Sequence, residues 1–132
     1  MKRAAIAIGS NSTRMLAAEK RNGKLEDILR GREETRLFLG LDEEGRIRPE
    51  RIEDTAQAVC RLALLAKAAG AQSIALFATS ATRDAKNGEA LGGRIRELCG
   101  LSMRVISGEE EADLAFRAVS QEIGRASCRE RV

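Results

Sequence analysis

Apolar and polar positions follow one rhythm in the first third of the chain and another beyond residue 49. Residues 3–8 are a short apolar run suited to a buried strand. After the small polar stretch Gly9-Ser10-Asn11-Ser12, apolar residues return over 13–19 as its hairpin partner. Residues 24–37, introduced by a turn at Asn22-Gly23, alternate loosely and read as a more polar third strand toward the sheet edge. Pro49 then opens a long helix at a first-turn position, where its missing N–H does no harm. Ile52, Ala56, Val59, Ala63 and Ala66 form the inward stripe of that helix, and Gly70 ends it. Ser73–Ala78 are apolar after the first residue, the pattern of a central strand covered on both faces. A second helical region spans 80–99, broken near Asn87-Gly88. Residues 102–106 read as a fifth strand and 109–119 as a last helix.

The order is a three-stranded meander followed by helix, strand, helix, strand, helix. Right-handed crossovers in the later half build parallel strands. The expected fold class is therefore α/β, a mixed five-stranded sheet with helices on both faces. This arrangement resembles the ribonuclease H-like half-domain duplicated in the actin and sugar-kinase superfamily.

At 132 residues the chain is one domain by size. Its 43% hydrophobic and 33% charged content places it with folded proteins and away from disordered ones. The net charge of +3 comes from 23 basic and 20 acidic residues well mixed along the chain, too weak and dispersed for nucleic acid. Three Phe, with no Tyr or Trp, also give no stacking platform for single strands. A phosphate-rich ligand would have to be held by a local site. The chain has no histidine, which excludes Ser-His-Asp and Cys-His nucleophiles and histidine-based zinc. Cys60, Cys99 and Cys128 are far apart in sequence and read as reduced thiols, two of them in helices. No secretory signal or membrane-length apolar run is visible, so no membrane is expected and the cytoplasm is the default.

Three stretches could carry chemistry. Gly9-Ser10-Asn11-Ser12 would expose successive backbone N–H groups that suit phosphate oxygens, though an ordinary hairpin turn has the same composition. "ATSATRDA", residues 78–85, follows the fourth strand, where open α/β sheets place ligands. Thr79, Ser80 and Thr82 supply hydroxyls there and Arg83 a planar cation, although spacing alone favours a Ser/Thr helix cap followed by an exposed arginine. "ISGEEEADL", residues 106–114, sets Glu109, Glu110 and Glu111 at a helix start. One of them could serve as a general base, while Ser107 and Glu110 also fit an S-x-x-E capping box.

All three stretches follow strands one, four and five, whose ends gather at one rim of such a sheet. Together they resemble the exopolyphosphatase and guanosine pentaphosphate phosphatase (Ppx/GppA) family. The matching pieces are "AAIAIGSNSTRML", "ETRLFLGLDEEGRI", "ATSATRDAKNG" and "RVISGEEEADLAF", in family order over about residues 3–120. The resemblance implies that Gly9, Ser10, Asn11 and Ser12 form the first phosphate-binding loop, with Thr79 and Ser80 also contacting phosphate. It implies that Arg83 clamps the phosphate chain and that Glu110 activates the attacking water. The implied reaction is Mg²⁺-assisted hydrolysis of the terminal phosphate of inorganic polyphosphate or of pppGpp. Guanosine penta- or tetraphosphate is then the other expected ligand class.

Two departures bear on this. The family's acidic residue two positions before the loop glycine is Ala7 here, which weakens or removes the expected metal site and leaves Glu111 as a further candidate ligand. The family's second loop, D-x-G-G-G-S, should follow the last helix, where the Arg-rich "GRASCRERV" of residues 124–132 stands instead. The expectation is that residues 1–121 are the first lobe of such a phosphatase and that 122–132 are a vector-derived or disordered tail. A lobe without its partner would expose apolar surface, which makes a homodimer a further expectation. The competing readings are a non-catalytic module that binds polyphosphate or (p)ppGpp, and a sugar- or acetate-kinase-type lobe.

Overall fold

A computed structural model describes residues 2–22, 24–37, 41–78, 82 and 85–105. The element order is β1 (Lys2–Ile8), β2 (Thr13–Arg21), β3 (Lys24–Glu33), α1 (Pro49–Ala68), β4 (Ser73–Ala78), α2 (Gly88–Cys99) and β5 (Met103–Val105). The strands form one sheet in the order β3-β2-β1-β4-β5. β1 pairs antiparallel with β2, and β2 with β3, whereas β1–β4 and β4–β5 are parallel. The mixed sheet, with β3 at one edge, is as expected.

The β2–β3 turn closes on the pair Arg21↔Lys24, and Asn22 adopts φ 51°, the left-handed conformation that a two-residue hairpin requires. A register shift between Ala17 and Ala18 adds a bulge to this hairpin. β3 ends at Glu33, four residues short of the expected 24–37. Its continuation is pulled out of the ladder because the Arg36 N–H donates to the Asn11 carbonyl at 2.8 Å, with Arg36 itself at φ 47°. Thr35 and Leu37 are consequently buried beside the first hairpin loop and do not extend the edge strand.

Side-chain alternation divides the sheet into two faces. Ala4, Ile6 and Ile8 align with Met15 and Ala17 of β2 and with Leu76 and Ala78 of β4. This face packs on Val59, Leu62, Ala63 and Ala66 of α1 and on Leu91 and Ile95 of α2. The opposite face carries Ala5, Ala7, Ala18 and Phe77, which are buried as well. Burial of β1 on both sides explains its unbroken apolar run. Both described helices lie on the first face; the helix expected over 109–119 lies outside the described residues.

α1 starts at Pro49 and ends in a double hydrogen bond, from the Ala71 N–H to the Ala66 carbonyl at 3.0 Å and from the Gly70 N–H to the Lys67 carbonyl at 2.9 Å. That closure needs a left-handed residue between them, and Gly70 supplies it at φ 98°. The second helical region is broken where the composition suggested, and α2 begins at Gly88. A Cβ at Gly88 would lie 2.4 Å from the Thr82 carbonyl oxygen, so only glycine allows this approach. Asn87 does not cap α2. Its side chain accepts from the Ile47 N–H at 2.7 Å and donates to the Ile47 carbonyl at 3.0 Å, tying the loop before α1 to the start of α2. Among the described residues, no helix is long and apolar enough to cross a membrane.

Leu62 is fully buried and lies against β3, where a Cβ on Gly31 would come within 2.8 Å of it. Leu62→Ala is therefore expected to lower unfolding free energy by ~2–5 kcal/mol in urea titration. Leu64 is 65% exposed, and Leu64→Ala should stay within about 0.5 kcal/mol of the parent.

Candidate functional site

The parallel register brings three strand ends to one place. Ile8 of β1 pairs with Ala78 of β4, and Ala78 pairs with Val105 of β5. The segments that follow β1, β4 and β5 thus all depart from the same rim of the sheet, the arrangement that places ligands beyond the carboxyl ends of parallel strands.

The first of these segments is 9–12. The Gly9 N–H donates to the Ser12 carbonyl at 3.0 Å, and the Asn11 carbonyl accepts from Arg36 at 2.8 Å, so two loop carbonyls are tied inward. Among the described residues, nothing accepts a hydrogen bond from the backbone N–H groups of Ser10, Asn11 or Ser12. A Cβ at Gly9 would approach the Ser12 oxygen to 3.2 Å, tight enough to push the turn open. Asn11 is exposed, Ser10 half-buried and Ser12 buried. A turn with two carbonyls already bonded and three N–H groups that have no acceptor among the described residues is biased toward an acceptor-rich ligand.

The loop is anchored from below. The Thr13 and Thr35 hydroxyls lie 3.0 Å apart, both buried, and the Arg51 guanidinium donates to the Thr35 carbonyl at 3.4 Å. A polar cleft of about 220 Å³ continues from there between β3 and α1, lined by Glu33, Thr35, Arg51, Asp54 and Arg61. Two guanidinium nitrogens of Arg61 hold the Glu33 carboxylate at 2.6 and 2.8 Å. Those hydrogen bonds keep the Glu33 carboxyl below its ordinary value of 4.5 against the opposing effect of burial.

Thr79, Ser80, Arg83, Glu110 and Glu111 lie outside the described residues. Thr82 is described and differs from expectation. It is 2% exposed, and among the described residues its buried hydroxyl oxygen has no hydrogen-bond partner, so it lies beneath the surface of the rim. The backbone at Gly88 packs closely against Thr82. Beside Thr82, a cavity of about 550 Å³ opens between α2 and β5, with Lys86, Glu89, Arg96 and Ser102 among its walls. This cavity is invisible in the sequence, because Lys86 and Arg96 look like ordinary surface charges until the crossover places α2 against β5.

Ala7 sits two residues before the loop, opposite Arg14 in the β1–β2 register and beside Phe77 of β4. It brings no carboxylate to the rim. Among the described residues, no group of three or more His, Cys, Asp or Glu side chains could hold a metal ion.

The chain matches the Ppx/GppA phosphatase family over residues 16–130. It is 36% identical over 132 residues to Exopolyphosphatase 2 of Mycobacterium tuberculosis, covering 93% of this chain and 41% of that protein. The crystal structure of the Aquifex aeolicus Ppx/GppA family member superposes with a TM-score of 0.80 at 36% identity, over 90% of this chain and 39% of that one. An exopolyphosphatase structure from Cytophaga hutchinsonii shares the fold, with a TM-score of 0.80 at 23% identity over 92% of this chain and 39% of that one. The chain therefore spans about two fifths of the relatives it matches.

Thr35→Val should leave the buried Thr13 hydroxyl without its partner and cost ~1–3 kcal/mol in chemical denaturation. For Glu33, the lowered folded-state value means that its stabilisation is complete above 4.5 and fades as pH falls through that lowered value. The stability difference between parent and Arg61→Gln should accordingly be largest near neutrality and shrink in acid well below 4.5. Equal differences at both ends of a pH series of urea midpoints would refute the pairing.

Proposed function

Because the chain belongs to the Ppx/GppA phosphatase family, we propose that residues 1–121 form the first lobe of a phosphoric-anhydride hydrolase that releases terminal phosphate from inorganic polyphosphate or from pppGpp. The observation that carries this reading is the shared rim, where the end of β4 pairs with the ends of β1 and β5 and the 9–12 loop offers N–H groups that have no acceptor among the described residues.

In this reading Gly9, Ser10, Asn11 and Ser12 bind phosphate oxygens, with Thr79 and Ser80 adding contacts and Arg83 clamping the chain by a planar charged fork. Glu110 takes a proton from water as the water oxygen bonds to the terminal phosphorus. The P–O–P bridge breaks, and the shortened polyphosphate or ppGpp departs with the bridging oxygen. Phosphoryl transfer depends mainly on position and charge neutralisation, so a chain without histidine is adequate to it.

Mg²⁺ is the cofactor the family resemblance implies. The described residues do not make a site for it, since Ala7 offers no ligand and no acidic cluster stands nearby. Glu111 is the remaining candidate ligand. Ala7 favours a second reading, in which the lobe binds polyphosphate or guanosine tetra- and pentaphosphate without hydrolysing them.

In the two-lobed enzyme, Glu110→Gln should reduce phosphate release from polyphosphate by ~10²-fold or more. An unchanged rate would remove Glu110 from the mechanism. Ala7→Asp should make activity more dependent on Mg²⁺, and a flat Mg²⁺ response would defeat the metal argument. Tight binding of polyphosphate that survives chelation and yields no free phosphate would establish the second reading over the first.

A further inference from the structure

Glu89, Gly92, Gly93 and Arg96 of α2 line the cavity between that helix and β5, and their spacing puts them on one side of the helix. The two central positions carry no side chain, which leaves room beside the strand. Glycine inside a helix is unfavourable relative to alanine, because it adds backbone freedom to the unfolded chain and buries nothing in return. Packing accounts for one of the pair, since a Cβ on Gly92 would come within 3.1 Å of the Met103 side chain. It does not account for the other: a Cβ on Gly93 would meet nothing within 4 Å. Gly93 thus keeps open a space that no described part of the chain fills.

At about 550 Å³ that space has the size of a small-molecule site. Thr82, 2% exposed, stands in its wall, and its buried hydroxyl has no hydrogen-bond partner among the described residues. An orphaned hydroxyl of this kind is costly until an acceptor meets it. Lys86 and Arg96 set two positive charges against the single carboxylate of Glu89. Arg94, nearby on α2, already holds Glu53 and Glu97, whereas neither Lys86 nor Arg96 is in an ion pair among the described residues. Leu101 and Met103 give the cavity an apolar side.

We propose that this cavity binds a small organic anion, a carboxylate or phosphate ester with an apolar body. Its charged group pairs with the Arg96 guanidinium, which can hold two oxygens at once. Its body lies over Gly92 and Gly93 against Leu101 and Met103, where the missing side chains let it reach the helix backbone. Thr82 and Lys86 remain for an acceptor atom at the other end of the ligand. The site is distinct from the 9–12 loop, and it does not depend on whether the rim hydrolyses phosphate.

The test titrates the whole ¹⁵N-labelled chain with 4-hydroxybenzoate and with phenyl phosphate, which separate the two head groups. Phenol supplies the body without the charge, and inorganic phosphate the charge without the body. At least one of the two organic anions should give saturable shifts of the Gly92 and Gly93 amides, with phenol and inorganic phosphate binding there ~10-fold more weakly. Arg96→Gln, at an exposed position, should weaken that anion by ~10-fold and leave phenol unchanged. Gly93→Leu should fill the space and abolish the saturable shift, while Gly93→Ala should raise the thermal midpoint by ~3 °C. No saturable shift from either anion, shifts confined to residues 9–12, or phenol binding as tightly as the anions would overturn the proposal. So would full affinity in Arg96→Gln, a result that does not rest on how any variant of Gly93 folds.

Discussion

β1 has a partner on each side, β2 antiparallel and β4 parallel, and a buried surface above and below. Once a strand is enclosed in that way its register cannot slip, because a shift of one residue would exchange the two faces along its whole length. The position of the 9–12 loop follows from that enclosure. So does the alignment of Ile8 with Ala78 and, through β4, with Val105. A rim assembled from three strand ends is only as exact as the pairing behind it, and here the pairing is set by consecutive small and branched residues from Ala4 to Ile8.

The helical layer is built for close approach. α1 turns Ala56, Ala63 and Ala66 inward between Val59 and Leu62, and Gly31 removes a side chain from β3 where Leu62 arrives. The seam between α1 and α2 is tied at its surface by Arg94, which bridges Glu53 and Glu97, and the neighbouring guanidinium holds Glu53 below its ordinary value. Gly88 does the same for the start of α2 that Gly31 does for β3. At Gly31 the backbone meets the Leu62 side chain and at Gly88 it meets the Thr82 carbonyl, while the Asn87 side chain holds the loop before α1.

The first hairpin loop shows how a local turn acquires chemistry from distant residues. By itself, Gly9-Ser10-Asn11-Ser12 is a bend between two strands. Arg36 and the Thr13–Thr35 contact fix it from a segment more than twenty residues later in the chain. Among the described residues, the N–H groups without an acceptor are those of Ser10, Asn11 and Ser12, and their availability follows from where the Asn11 and Ser12 carbonyls have already found donors.

Local pattern was enough to identify β1, β2, β4, α1 and the break before α2, since each is marked by an apolar period or by a proline or glycine whose conformation is forced nearby. It was also enough to recognise the motifs that tie the chain to its family. The length of β3 was not legible, because Arg36 leaves the ladder for a carbonyl in another loop. The burial of Thr82 and the cavity beside Lys86 and Arg96 were not legible either. All of these depend on contacts between segments far apart along the chain. Periodicity reports which face of an element is apolar, but which residue lies opposite is decided only when the crossovers close and the helices settle on the sheet.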